Sequence, residues 1–281
     1  MDIKHILQSK LLEIIQKWEQ INDPEVTLDF SVFYDNFILP ELIVNQDLRY
    51  TLVLDVPYIP NNVLYLIDCP FTILPTKLPQ LKRLTLSKYP YIDKYIPEFP
   101  DSLEVLNICG LFTPIKKLPN KIRVLNYINS DVFELPSLPP TLEILTCRYL
   151  RLQKLPTLPL LLKELDVSNN ELCKLPELPH SLEKINTSYN MLVTLPELPN
   201  SLVNLHVGDN ALIQLPNLPC KLETLNIEQN CISTLPDLPP SLRLIIFNDN
   251  KFQSNPIITS ETSEIEYIGG QFGYRSLLEK K

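Results

Sequence analysis

Few residues of this 281-residue chain are suited to chemistry. Six cysteines stand at Cys69, Cys109, Cys147, Cys173, Cys220 and Cys231, and three histidines at His5, His180 and His206. A zinc or redox centre needs thiolates spaced by roughly two to four residues, so that ligands from one or two turns converge on one point. No C-x-x-C pair occurs and no cysteine has a histidine at ligand spacing, so the cysteines read as reduced thiols that fill core or surface sites. His206 is the residue most easily taken for a general base. Ser188, Gly208 and Asp209 nevertheless supply it with no ordered nucleophile and acid, and His5 and His180 have no partner in sequence either. Neither a P-loop nor a nucleophile elbow is present. The expectation is therefore a protein without catalytic residues, metal or cofactor.

Composition narrows the class. Hydrophobic residues make up 44% and charged residues 21%, enough for a packed interior and too little charge for a disordered chain. A net charge of -8 has the wrong sign for a phosphate backbone, which selects clustered Lys and Arg, so no nucleic-acid partner is expected. No run of roughly eighteen apolar residues could span a bilayer, and the amino terminus lacks the order of a signal peptide. A cytoplasmic protein with no membrane span follows as the expectation. Twenty-seven prolines against five glycines give proline a structural role beyond ordinary turns.

That role is periodic. From Leu155 to Ser254 the chain divides into five gapless blocks of twenty residues, beginning at Leu155, Leu175, Leu195, Leu215 and Leu235, each close to LPxLPxxLxxLxVxxNxLxx. The second proline of LPxLP continues backwards through Pro159, Pro139, Pro119, Pro100, Pro79 and Pro60, with VPYIP at Val56 the last clear variant. In LxxLxV the residues Leu162, Leu165 and Val167 are expected to point inward, with Glu164, Asp166 and Ser168 outward, the period of a short strand. The prolines of LPxLP exclude helix and central strand, which leaves extended polyproline II with its leucines toward the core. Asn170, Asn190, Asn210, Asn230 and Asn250 recur after each strand and are expected to form a structural ladder, while Ser130 and Leu150 replace them in the two preceding blocks. Such a block cannot bury its own apolar face and is stable only when stacked. The predicted fold is an α/β-type solenoid with short parallel strands on a concave face and polyproline II on the convex face.

The twenty-residue block with paired prolines, seen most fully in LPELPNSLVNLHVGDNALIQ from Leu195 to Gln214, closely resembles the leucine-rich repeats of the YopM and IpaH class of bacterial effectors. The resemblance covers about residues 56 to 254. It implies a binding scaffold. IpaH-like members add a ubiquitin-ligase domain with a catalytic cysteine, and this chain, with about 27 residues after its last repeat and no cysteine beyond Cys231, reads as the repeat-only arrangement. Richness in Ile, Asn, Lys and Tyr fits an AT-rich genome, whether of an intracellular bacterium or a large DNA virus.

The ends differ from the array. Residues 1–24 form an amphipathic helix with Ile3, Leu7, Leu11, Ile14, Ile15, Trp18 and Ile21 on one face, Asp2 available as N-cap and Asp23-Pro24 as stop, suited to capping the first repeat. Residues 25–55 bridge to the array at 56–254 and show both alternating and helical spacing. Residues 255–281 read as a cap or tail, with a short helix conceivable from Tyr274.

Outward strand residues form columns that are candidates for partner contact. One column begins Val105, Val124 and Ile144 and, with Cys109 and Ile128, makes an apolar stretch. The next runs Asn107, Asn126, Thr146, Asp166, Asn186, His206 and Asn226, with Arg148 beside it. The expected function is a non-enzymatic scaffold that binds a protein partner by these residues. A substrate-recognition subunit of a ligase assembled in trans and a self-assembling structural protein are the alternatives.

Overall fold

The computed structural model describes residues 3–31, 59–67, 78–87, 99–110, 114–252, 266–269 and 274–277. They fall into two compact units, Met1–Val132 and Phe133–Lys281. Asp2, Cys69 and the stretch 32–55 lie outside the described residues.

The amino-terminal unit opens with helix α1, Ile3–Ile21. Its apolar spacing buries Leu7, Leu11, Ile15 and Trp18 on one side, while Glu13 and Lys17 stay exposed on the other. The helix stops where Asn22 turns left-handed at φ 54° and Asp23 Oδ1 accepts the Glu25 N–H. Trp18 Nε1 donates to the Val26 carbonyl at 2.7 Å, so the ring is both buried and satisfied. Strands β1 (Leu28–Asp29), β2 (Tyr65–Ile67), β3 (Arg83–Leu86), β4 (Val105–Cys109) and β5 (Val124–Ile128) then pair in parallel, each with the next. Of the two spacings in residues 25–55, the alternating one governs as far as it is described, since Leu28 and Phe30 are buried around exposed Asp29.

The carboxy-terminal unit carries β6 (Ile144–Arg148), β7 (Glu164–Asp166), β8 (Lys184–Asn186), β9 (Asn204–His206), β10 (Thr224–Asn226) and β11 (Leu244–Ile246), all parallel. Register pairs there advance by one block per strand, Glu164 to Lys184 to Asn204 to Thr224 to Leu244. Strand β12 (Glu266–Gly269) continues in parallel on β11, and β13 (Tyr274–Leu277) returns antiparallel on β12. Tyr274 thus begins a strand where the sequence made a helix conceivable. Pairing with β12 supplies hydrogen bonds that a short isolated helix would lack. No helix among the described residues is long and apolar enough to cross a membrane.

The local reasons for each rung are visible in its hydrogen bonds. The carbonyl of the second LPxLP proline accepts the N–H three residues on, Pro159 from Leu162 and Pro179 from Leu182, so LPxLP ends in a tight turn that feeds the strand. Those second prolines are buried, whereas most LPxLP leucines are half-buried, against the expectation that the leucines alone would face inward. Three residues per turn puts leucines on one side of the run and prolines on another, and the two sides share the packing. The deep core is instead Leu162, Leu165, Val167 and Leu172 with their register equivalents. Ser168 is also buried rather than outward, because Asp166 Oδ1 takes both its N–H and its hydroxyl.

The asparagines link rung to rung through backbone, not through one another. Asn190 Nδ2 donates to Val167 of the preceding rung and to Thr187 and Ser188 of its own, while its Oδ1 accepts the Leu172 N–H. Asn170, Asn210, Asn230 and Asn250 repeat the pattern. Strands β7 to β11, each followed by a ladder asparagine, have three residues. Strands β5 and β6, followed by Ser130 and Leu150, run to five. A second ladder was not read from sequence. Ser181 and Ser201 Oγ each donate to two carbonyls of the preceding rung, and Ser241 donates to the Leu222 carbonyl. Leu161 replaces that serine in its own rung.

Thr187 occupies the inward register held by Val167, Val207 and Ile227, and its buried hydroxyl has no hydrogen-bond partner. Thr187→Val keeps the shape and removes a desolvated polar group, so it is expected to stabilise the protein by about 1 kcal/mol. Thermal unfolding should show a midpoint raised by roughly 2 to 4 °C; a lowered midpoint would show that the hydroxyl is needed.

Candidate partner-binding face

Residues that alternate outward from the strands are held in columns by the parallel register. In the amino-terminal unit Val105 lies beside Val124, Asn107 beside Asn126 and Cys109 beside Ile128. All six are half-buried. Asn129 Nδ2 donates to Cys109 Sγ at 3.7 Å, while Val105 and Val124 offer only apolar surface and the asparagines close on themselves. Asn126 Nδ2 donates to Asn107 Oδ1 at 2.7 Å, and Asn107 Nδ2 donates to Thr85 Oγ1 at 3.0 Å. This part of the face therefore offers partners apolar contact more than open hydrogen bonds.

In the carboxy-terminal unit β6 presents Ile144, Thr146 and Arg148, so these three expected site residues belong to a different unit from Val105, Val124 and Ile128. Thr146, Asp166, Asn186, His206, Asn226 and Ile246 stand in one register column. Around its first half the face dips into a depression of about 260 Å³. Glu164 and Lys184 pair across neighbouring strands at 2.8 Å, which neutralises the column before it. Arg148 sits 3.7 Å from the Asp166 carboxylate and 5.9 Å over the Tyr149 ring. Further along, Asn226 Nδ2 donates to Glu228 Oε1 and Asn226 Oδ1 accepts the Glu228 N–H.

His206 is half-buried and lines the depression. Burial holds its imidazole below the usual histidine range, against the opposing pull of the Asp166 and Glu228 carboxylates. No hydrogen bond joins its ring to a hydroxyl or thiol among the described residues. Cys147, on β6, is fully buried, and desolvation pushes its thiol well above the ordinary range. No group of three or more His, Cys, Asp or Glu side chains converges as a metal site among the described residues.

Two features of the face were missed in sequence. The residue before each ladder position adopts left-handed backbone, at Asn129, Tyr149, Asn169, Tyr189, Asp209, Gln229 and Asp249. Asparagine and aspartate tolerate that region and tyrosine does not favour it, so Tyr149 and Tyr189 are held there by their rungs. Both rings are exposed, at 53% and 55%. Gly208 is the second feature. A Cβ at Gly208 would stand 3.0 Å from Glu228 Cγ, so the missing side chain is what lets Glu228 lean back over the face. The signal available in sequence was the Asn/Asp bias of the position before the ladder, broken only by the tyrosines and Gln229.

Against known structures the chain is similar to YopM from Yersinia enterocolitica WA-314, with 29% identity over 75% of this chain and 56% of that one, at a TM-score of 0.60. It is also similar to YopM of Yersinia pestis, described as a leucine-rich effector protein, with 30% identity over 71% of this chain and 63% of that one, at a TM-score of 0.58. The chain thus spans less than two thirds of either. The LRIM1/APL1C complex, 19% identical over 74% of this chain and 45% of that one at a TM-score of 0.53, shares the fold. No protein-family model and no curated protein matches the chain.

Proposed function

Since this chain is a leucine-rich-repeat protein whose LPxLP repeats resemble those of YopM, we propose that it is a non-enzymatic scaffold that captures a host protein on its strand face. Protein binding in general accords with the fold's solved relatives, one of which is the LRIM1/APL1C complex. The observation that carries the finer reading is the contrast along the face itself. The inward positions repeat with little variation, while the outward positions change from apolar at Val105 and Val124 to charged and polar from Glu164 to Glu228. Uniform interior with varied exterior is what a stacked scaffold needs when specificity resides in its surface. The likeness to a leucine-rich effector protein supports an effector role in the cytoplasm of a host cell.

The test is affinity purification with the full chain as bait, followed by the same experiment with substituted baits. Val124→Asp, on the strand face of the amino-terminal unit, and Ile144→Asp, on that of the carboxy-terminal unit, each place a charge at an apolar outward position and are expected to weaken capture of the principal partner by about tenfold or more. Met191→Asp, at a 49% exposed position away from the strands, is expected to leave it unchanged. Loss with Met191→Asp and retention with both strand-face variants would move the interface off this surface.

A further inference from the structure

Among the described residues, the strand face of the carboxy-terminal unit holds hydrogen-bonding groups without a partner and carboxylates without a counter-charge. Within and beside the depression, the Thr146 hydroxyl, Asn186 Nδ2, the Asn204 amide and the His206 ring make no hydrogen bond among the described residues. In the amino-terminal unit the equivalent Thr85, Asn107 and Asn126 are bonded to one another, so open groups are not a general property of this column. Past His206 the carboxylates of Asp209, Glu228 and Asp249 have no cationic side chain at ion-pair distance among the described residues. Lys184, the nearest lysine of the column, is already taken by Glu164. Burial and the neighbouring Glu228 carboxylate raise the Asp209 carboxyl above its ordinary range, as expected for acids crowded without a counter-charge.

The protein also shows what chemistry suits such a place. At one rung its own Arg148 lies over Tyr149 and against Asp166. Two rungs on, the register equivalents of Arg148 and Tyr149 are Ser188 and Tyr189. There the exposed tyrosine ring remains, its hydroxyl bonded to Asp209, but serine stands where the guanidinium would be and His206 takes the register place of Asp166, so the carboxylates at hand are Asp209 and Glu228. A planar guanidinium stacks on an aromatic face and forks to carboxylates, which an ammonium does less well.

We infer that the face between Asp166 and Glu228 receives a cationic side chain, arginine in preference to lysine, carried on an extended segment of the partner protein whose backbone meets the open groups of Asn186, Asn204 and His206. This rests on the strand face being the binding surface and adds the chemistry of what it takes. Each rung offers its polar group about 4.8 Å from the last, and an extended segment crossing the strands rises about 3.3 Å per residue, so about three of its residues pass two rungs.

A random dodecapeptide library displayed on phage and panned against the full chain supplies the probe. The expected outcome is enrichment of arginine over lysine and of both over neutral residues. A selected peptide should bind about tenfold more weakly when its arginine is replaced by citrulline, and more weakly as salt is raised. It should lose a similar factor on the Asp209→Asn, Glu228→Gln double variant, in which asparagine suits the left-handed backbone. Ser188→Arg should block it from within, by placing a guanidinium beside Tyr189 as Arg148 stands beside Tyr149. Peptides without cationic enrichment, or with binding untouched by these variants, would overturn the inference. If such peptides still yield to Val124→Asp or Ile144→Asp, the strand face remains the binding surface and only the cationic site falls. If no peptide responds to any strand-face substitution, both readings fall.

Discussion

Replacement of Asn230 by alanine is expected to lower stability by about 2 kcal/mol, within the roughly 1 to 3 kcal/mol for a buried polar group left without a partner. Asn230 is 5% exposed and makes four hydrogen bonds, donating to the carbonyls of Val207, Ile227 and Glu228 and accepting the Leu212 N–H, all between 2.9 and 3.1 Å. Alanine leaves the Leu212 N–H without an acceptor, in a place where the flanking Leu212 and Ile232 are fully buried and water has little access, while the three carbonyls keep Asn210 Nδ2, Asn250 Nδ2 and the Asp209 N–H as donors. Asn230→Asp separates the two halves of the role. It keeps an acceptor for the Leu212 N–H but turns a carboxylate oxygen toward three carbonyls, and is expected to cost at least as much as alanine. Hydrogen exchange at the Leu212 and Ile232 amides reports the effect locally, which matters because stacked repeats unfold in segments. A loss under about 1 kcal/mol would mean that the ladder adds little beyond ordinary backbone pairing.

Leu205→Ala is expected to cost about 3 kcal/mol, within the roughly 2 to 5 kcal/mol typical when a buried leucine is truncated. Leu205 is fully buried at the centre of β9, in register with Ile185 on one side and Leu225 on the other. Rungs clamped by strand pairing above and below leave little freedom to collapse into the gap, which favours the upper part of the range. Leu160→Ala is the matched contrast. That leucine is 80% exposed at the turn before β7, and its truncation should change stability by no more than about 0.5 kcal/mol. Urea unfolding of the two variants gives the comparison directly, and equal losses would contradict the assignment of inward and outward positions.

The regular part of this architecture was legible because Leu155 to Ser254 repeats without a gap, and a fixed period transfers the inward assignment of Leu165 to Ile185, to Leu205 and to Leu225 with no further information. Helix α1 was legible for the same reason, its period being the helical one. What periodicity cannot convey is direction. Nothing in the recurrence of Asn190 says that its amide reaches Val167 of the previous rung rather than the next asparagine, since that depends on how closely two rungs approach. Ser168 was misplaced because alternation ignores a neighbouring carboxylate, and Asp166 draws the hydroxyl in. Tyr149 and Tyr189 went unnoticed because local preference argues against tyrosine in left-handed backbone, and only the rung overrules it. Strand β13 depends on a partner strand elsewhere in the chain, a non-local fact that four residues of sequence do not hold.

The side-chain ladders of the carboxy-terminal unit all point one way. Asn210 reaches back to Thr187 and Asn230 to Val207, and Ser201 reaches back to His180 and Leu182. Each block therefore carries its own connectors and requires of its predecessor only main-chain groups, carbonyls and one N–H, which every residue but proline possesses. A coding segment duplicated or deleted in whole blocks would join at a seam where each donor still finds an acceptor, whatever side chains the neighbour brings. Recombination between the nearly identical blocks is then a route by which descendants could alter the reach of this protein, trading old surface columns for new ones while the interior needs no redesign.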